Sequence, residues 1–327
     1  MTKVLGMGNA LVDVLAIIED DKILEHLNLP KGSMQLIDKA KFEILSNEIN
    51  KLEKSIVSGG SASNTIIGLA QLGINTGFLG RIGDDSYGQH YKGDLNKHNV
   101  KSHLTEVKEV SGVASTFISK DGERTFGTYL GAAALLNADE LKEEDFIGYD
   151  YFYIEGYLVQ SHALIEKAIV LAKEVGAQII LDMASYNVVE DNLDFLLRII
   201  PQYVDIVFAN EEEAKVLLNT TPEEAVTVLA KQVKIAIVKV GAKGSWIQRG
   251  DEKVFVPALT VNCLDTTGAG DLYASGFIYG LINGCSLSVS GQIGTLLAAH
   301  VIEDIGAQIK EHKWTDIMNE VDKLKSK

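Results

Sequence analysis

From Tyr151 to Val256 the chain alternates short apolar runs with stretches whose apolar residues recur every three or four positions. Tyr151–Glu155, Gln178–Asp182, Asp205–Ala209 and Lys234–Val240 read as strands. His162–Val175, Leu193–Ile200, Ala214–Leu218 and Ala225–Gln232 read as the helices between them. A helix between two strands returns the chain to the same end, so the strands run parallel, and a parallel sheet needs helices on both faces. The earlier chain repeats this grammar. Val4–Gly8 and Thr76–Ile82 read as strands, Tyr87–Asn99 as a helix, and Lys39–Lys54 as a helix with Phe42, Leu45, Ile49 and Leu52 on one side. After Gly268 the pattern is helical almost to the end, so the expected fold class is α/β, three layers around a central, mostly parallel sheet.

Three places depart from the alternation. Ser245–Gln248 and Val254–Val256 read as a hairpin, and Val12–Ile18 is a strand directly after the first, with no helix between. Val113–Ser119 and Arg124–Leu130 flank Lys120-Asp121-Gly122-Glu123, an Asp-Gly turn between two strand-like runs. The last two of these imply a small antiparallel sheet, from discontinuous segments of about residues 10–20 and 108–132, standing as a lid over strand ends.

Charge narrows the partners. The chain has 327 residues, 45 acidic against 30 basic, and a formal net charge of −15. Nucleic acid and membrane surfaces are polyanionic, so neither is expected as a partner. An anionic ligand would have to be held by local backbone N–H groups, a few cations or a metal. Cys263 and Cys285 make no disulfide framework and no zinc spacing, and the seven histidines show no ligand pattern. His98 and His103 read as surface residues, Asp139–Asp145 as a solvated helix face, and Lys323–Lys327 as a frayed tail. No basic segment followed by a long apolar one opens the chain, and no run approaches the ~20 apolar residues of a membrane span, so a soluble cytoplasmic protein is expected.

The segment richest in chemistry is Asp265-Thr266-Thr267-Gly268-Ala269-Gly270-Asp271. Small residues permit a tight turn, and the apolar period beyond places a helix start there. The first N–H groups of a helix have no internal partner and suit a phosphate-like anion. A carboxylate beside such a hole repels phosphate, but it suits a base that takes the proton of an attacking hydroxyl. Locally, the same residues also read as a helix cap, with Asp271 complementing the dipole.

Asp265 to Phe277 resembles the C-terminal signature of the ribokinase-like (PfkB) family of sugar and nucleoside kinases. Gly59-Gly60-Ser61-Ala62-Ser63-Asn64 resembles its N-terminal glycine pair with a following Asn, and Asn210-Glu211-Glu212-Glu213 its Asn-x-x-Glu motif. Lys239-Val240-Gly241-Ala242-Lys243-Gly244 is similar to its nucleotide loop. The motifs stand in the family's order across residues 1 to about 310, and no Gly-Lys pair offers a Walker loop instead. The resemblance implies one ribokinase-like kinase domain over residues 1–327, with ATP and Mg²⁺ as cofactors. It implies Asp271 as general base and Gly268, Ala269 and Gly270 as the anion hole for the transferring phosphoryl group. Asn210 and Glu213 would hold magnesium through waters, with a solvated helix start as the alternative reading of Glu213. Lys239, Gly241 and Gly244 would approach ATP mainly through backbone. Asn9, Asp13, Gly59, Gly60, Asn64 and Glu155 would shape or contact the acceptor site. Asp265, Thr267 and Gly306 match a monovalent-cation loop, for potassium, which relatives often close with a small hydroxyl residue where this chain has Lys310. Lid sheets in the family stand alone or pair between subunits, so a monomer or a lid-paired homodimer is expected.

Within the family, Gly8-Asn9-Ala10-Leu11-Val12-Asp13 spaces its Asn and Asp as adenosine kinases do, and Lys31-Gly32-Ser33-Met34-Gln35-Leu36 also resembles them. In that branch an aromatic residue at the position of Tyr186 covers the purine, since aromatic faces stack on bases. The acceptor expected is therefore the hydroxymethyl group of a nucleoside, adenosine first, with ribose, fructose or a related sugar as the alternative. A noncatalytic sugar- or nucleoside-binding protein on the same fold is a reading of another class, and Asp271 with its complete anion hole counts against it. A dinucleotide fold is disfavoured, because Gly6 and Gly8 are followed by Leu11 where the third glycine should stand.

Overall fold

Neighbouring residues of a strand face opposite sides, and in the central strands here both sides are apolar. Leu5 and Met7 enter one core with Phe152, Ile154 and Leu181, while Val4 and Tyr153 enter another with Phe78, Phe208 and Phe277. A sheet with two apolar faces must be covered twice, and it is. The computed structural model describes residues 1–326; Lys327, the end of the lysine-bearing tail, lies outside the described residues.

The strands are β1 (Lys3–Met7), β2 (Leu11–Ile17), β3 (Met34–Leu36), β4 (Lys54–Gly59), β5 (Asn75–Gly83), β6 (Lys101–Val107) and β7 (Gly112–Ile118). After them come β8 (Arg124–Tyr129), β9 (Tyr151–Glu155), β10 (Gln178–Asp182), β11 (Ile206–Asn210), β12 (Ile235–Lys239), β13 (Gly244–Arg249) and β14 (Glu252–Pro257). Nine of them form the main sheet, in the order β14-β13-β12-β11-β10-β9-β1-β5-β6. It is parallel from β6 through to β12, and the hairpin β13–β14 is antiparallel at its edge. From β1 the chain first builds outward through β5 and β6, then returns to β9 and builds the other way. The order therefore reverses between β1 and β9, and crevices beyond the carboxyl ends of strands at such a reversal are where α/β sheets bind ligands.

The second sheet has the order β3-β8-β7-β2-β4. It contains β2, β7 and β8, as the sequence suggests, but it is mixed rather than antiparallel: β2 pairs with β7 in parallel, and so does β3 with β8. Its outer face packs Val14, Ala16 and Phe117 against Leu24, Phe42, Leu45 and Ile49 of the helices Lys22–His26 and Lys39–Ile49. The second of these helices stops at Ile49, short of the expected Lys54, because the chain turns into β4.

Two local expectations fail. His98 and His103 are largely buried, with side-chain exposures of 10% and 9%. His103 lies between the Tyr149 hydroxyl at 2.9 Å and the Asp145 carboxylate at 3.4 Å, and burial lowers its pKa. The run 139–145 forms 3-10 turns rather than one helix face. No helix among the described residues is long and apolar enough to cross a membrane.

Candidate active site

The carboxyl ends of β9, β10, β11 and β12 carry Glu155, Asp182, Asn210 and Lys239, and Asn9 follows β1. Parallel strands in register deliver all five to one rim. Facing them, the helix Ala269–Ile282 begins after Gly268, whose φ of 78° is left-handed. A side chain at Gly268 would also meet the Ala307 backbone at 2.6 Å, so glycine is required twice over. Ala269 N–H turns back to the Thr266 carbonyl at 3.2 Å, while among the described residues no backbone carbonyl takes the N–H of Gly270 or Asp271. The free donors of the helix start are thus Gly270 and Asp271.

Asp271 is held at both oxygens. Ser61 Oγ donates to one at 2.7 Å and Asn64 Nδ2 to the other at 2.9 Å, both from the helix Ser61–Gln71. Gly60 precedes that helix with φ 91°, and a Cβ there would be 2.3 Å from the Asn9 carbonyl oxygen. Burial pushes the Asp271 pKa up to about 6, against the lowering effect of Asn64 and Ser61. Ser61 was not singled out from the sequence as a site residue. Its signal there was position alone, directly after the glycine pair.

Two cavities meet at Asp271. Both are lined by Ser61, Tyr157 and Asp271. The first, of about 410 Å³, has a polar floor of Asn9, Asp13, Gly60, Asn64 and Glu155. Its far wall is Met34, Leu36, Phe126, Leu130, Leu136, Leu158 and Leu164, with Gln160 and Ser161 beside them. The second sheet supplies much of that wall by register. Met34 pairs with Phe126 and Leu36 with Thr128, and residues two apart share a face. Leu11 and Asp13 lie two apart on β2 and line the same cavity. Met34 and Leu36 are 54% and 59% exposed, apolar surface that an occupant would cover.

Among the described residues no protein donor bonds the Asp13 carboxylate, whose Oδ2 lies 2.6 Å from where a side chain at Gly59 would begin. Burial raises its pKa to about 6, with Arg124 lowering it and Asp265 raising it. Glu155 is employed differently. One oxygen accepts from Asn9 N and Nδ2 at 3.2 and 2.8 Å, and the other from Ala62 N at 3.0 Å, which ties the crevice together. Burial pushes its pKa to about 7.

The second cavity, of about 680 Å³, is lined by Asp182, Asn210, Glu213, Lys239, Gly241, Gly244, Gly270 and the segment around Leu259 and Cys263. Lys239 enters it by its side chain, a correction to the backbone role expected from sequence. Its Nζ lies 3.3 Å from Asp182 Oδ2 and 3.2 Å from where a Cβ on Gly270 would stand. Burial alone would lower its pKa, but Asp182, Glu213 and Asp271 raise it on balance, so the ammonium stays charged. Asn210 and Glu213 form a reciprocal cap. Asn210 Oδ1 accepts from Glu213 N at 2.9 Å, and Glu213 accepts from Asn210 N and Nδ2, both at 2.7 Å. Glu213 is buried, not a solvated helix start, and burial raises its pKa to about 7. No group of three His, Cys, Asp or Glu side chains among the described residues could cage a metal. The hard oxygens of Asp182 and Glu213 nonetheless suit magnesium that keeps its waters. Asp182, missed in the sequence, carried the same signal as Glu155: an acidic residue ending an apolar strand.

Of the residues expected in the site, Gly59, Asp265, Gly268 and Gly306 line neither cavity, and neither does Tyr186. It opens the helix Tyr186–Asp191 and is 45% exposed. Asp265, Thr267 and Gly306 are brought together: Asp265 Oδ1 accepts from Thr267 N and Oγ1, and Oδ2 from Gly306 N.

The chain is 32% identical to the adenosine kinase from Sinorhizobium meliloti, whose crystal structure superposes with a TM-score of 0.86 over 98% of this chain and 99% of that one. The adenosine kinase of Schizophyllum commune is 27% identical over 94% of this chain and 97% of its own. The 5-dehydro-2-deoxygluconokinase of Clostridium perfringens is 29% identical over 75% of this chain and 78% of its own. Residues 34–314 match the pfkB family carbohydrate kinase, and the chain belongs to that family of phosphotransferases acting on alcohol groups.

Proposed function

We propose that the protein transfers the γ-phosphate of ATP to the hydroxymethyl group of a nucleoside, adenosine first. The observation that carries the nucleoside reading is the two-ended first cavity. Its floor offers Asp13, a carboxylate with no protein donor, and Asn64, whose buried Oδ1 is unpartnered. These suit the hydroxyls of a ribose. The opposite wall of Met34, Leu36, Phe126, Leu130, Leu136, Leu158 and Leu164 suits a flat apolar ring. A free sugar presents hydroxyls on every side and would set some of them against that wall unpaired. The adenosine kinases among its relatives support the same acceptor.

In this reading Asp271 takes the proton of the attacking hydroxyl, and Ser61 and Asn64 keep both its oxygens aimed. The N–H groups of Gly270 and Asp271 and the Lys239 ammonium receive the charge that develops on the phosphoryl oxygens. Gly241 and Gly244 give the nucleotide backbone to lie against. Magnesium, bound with the nucleotide, would neutralise phosphate charge, its waters held by Glu213, Asp182 and Asn210. The second sheet acts as the lid. The test is ATP consumption with adenosine, inosine, ribose and fructose, the product position read by phosphorus NMR. Adenosine is expected to be phosphorylated fastest, at its hydroxymethyl oxygen; preference for ribose or fructose would move the protein to the sugar kinases.

A further inference from the structure

The resemblance implies a monovalent cation at Asp265, Thr267 and Gly306, but the Asp265 carboxylate is already spent. It takes hydrogen bonds from Thr267 N at 3.0 Å, Thr267 Oγ1 at 2.7 Å and Gly306 N at 2.7 Å. Its fourth neighbour is a cation of the chain itself. Arg124 Nη2, from β8 of the second sheet, lies 2.8 Å from Oδ2 as an ion pair, with Arg124 Nη1 3.3 Å from Thr267 Oγ1. Three of the roughly four lone-pair sites of the carboxylate are taken by hydrogen bonds, and the guanidinium at the remaining edge repels any metal ion that approaches. Both side chains are nearly buried, at 10% and 7% exposure, where screening by salt is weak.

The facing loop, residues 303–310, carries a second set of internal cations. Lys310 Nζ pairs with Asp304 Oδ1, and Lys313 Nζ lies 2.7 Å from Asp304 Oδ2. This loop presents Gly306 N–H to Asp265, and its Ala307 backbone packs against Gly268. Its shape therefore sets the turn from which the Gly270 and Asp271 N–H groups emerge. Lys310 stands where a hydroxyl ligand would otherwise complete a cation site, and an ammonium there cannot coordinate one.

We propose that Arg124 and Lys310 are positioning residues: the chain's own cations hold the 265–270 turn and the 303–310 loop in place of potassium, and phosphoryl transfer needs no monovalent metal ion. The inference rests on the kinase family and not on the nucleoside assignment, since any acceptor that turns over serves to test it. Turnover and melting temperature are compared in potassium chloride and in tetramethylammonium chloride at equal ionic strength. Wild type is expected to give the same rate and the same melting temperature in both salts. Lys310→Ser, at a side chain 54% exposed, is expected to slow turnover in the organic salt by up to about 10²-fold, the scale of a small misplacement of reacting groups. Potassium should restore little of that loss while Arg124 still faces Asp265, but most of the loss in the double variant Arg124→Gln/Lys310→Ser, a response that plain destabilisation would not give. Arg124→Gln alone should behave as Lys310→Ser alone, and Arg124→Lys should keep the indifference to potassium. Activation of wild type by potassium, or a rise in its melting temperature specific to that ion, would overturn the proposal. So would the double variant Arg124→Gln/Lys310→Ser turning over equally well in both salts.

Discussion

The two cavities that meet at Asp271 are built in different ways. The larger is lined by strand ends of the main sheet and by the helices packed on it, so its wall is one body. The smaller takes Asn9, Gly60, Asn64 and Glu155 of its floor from the main sheet and the helix packed on it, but takes Leu11, Asp13, Met34, Leu36, Phe126 and Thr128 from the second. In the proposed reading the groups for phosphate thus sit on the common frame, while part of the surface that would choose an acceptor sits on a separate sheet. Such a division lets the acceptor wall change without disturbing the chemistry. Relatives named for adenosine and for 5-dehydro-2-deoxygluconate are matched by the same chain, as this division leads one to expect.

The division can be broken most forcefully at the shared point. Asp271→Asn removes the base and should lower kcat by ~10²–10⁴ with any acceptor, the usual scale for general-base loss. Nucleotide affinity should hardly fall, because a carboxylate that repels phosphate has gone. A variant with more than half the wild-type kcat would remove Asp271 from the mechanism. The pH profile probes the same group. Protonated Asp271 cannot accept a proton, so kcat should fall as pH drops through about 6. Below that it should lose about tenfold per pH unit. A rate flat from pH 8 to pH 5 would contradict this.

Changes confined to one cavity should be smaller and should separate cleanly. Phe126→Ala removes a ring from the wall and should weaken adenosine by ~1–3 kcal/mol, the scale for a base on an aromatic face. That is roughly a five- to 150-fold loss in affinity, with ribose and nucleotide binding nearly unchanged. Tyr186→Ala should change neither, since Tyr186 lines neither cavity. Calorimetry on the two variants decides; equal losses for adenosine and ribose at Phe126 would deny the wall its role. Smallest of all, Glu213→Gln removes charge and keeps one of the two bonds that Glu213 accepts from Asn210, and should raise the magnesium concentration for half-maximal rate while acceptor affinity stays put. An unaltered magnesium titration would leave Glu213 as a cap only.

What the sequence made legible follows the same line. The turn from Asp265 to Asp271, the Gly59–Gly60 pair and the Asn210–Glu213 box are contiguous, because each is one backbone feature that needs particular neighbours. The acceptor wall was not legible. Met34, Phe126 and Leu158 come from remote segments, and an apolar residue on a wall looks like one in the core. Edges were lost for another reason. β3, β4 and β6 were not read as strands, and all three are sheet edges, where polar and charged residues such as Lys54, Ser55, Lys101 and Glu106 blur the alternation that marks a half-buried strand. The mixed pairing of the second sheet could not be inferred either, because β2 and β7 lie far apart in sequence and their parallel register is set by packing.

The account turns on a first cavity that is polar at Asp13 and apolar at Phe126, and its most direct test is calorimetric. Adenosine and ribose are titrated into wild type and into Asp13→Ala. Wild type is predicted to bind adenosine more tightly than ribose, and Asp13→Ala to weaken both, by ~1.5–3 kcal/mol for hydrogen bonds to a charged group. If wild type binds ribose the more tightly, or if Asp13→Ala leaves adenosine untouched, a nucleoside does not lie in this cavity with its ribose on Asp13.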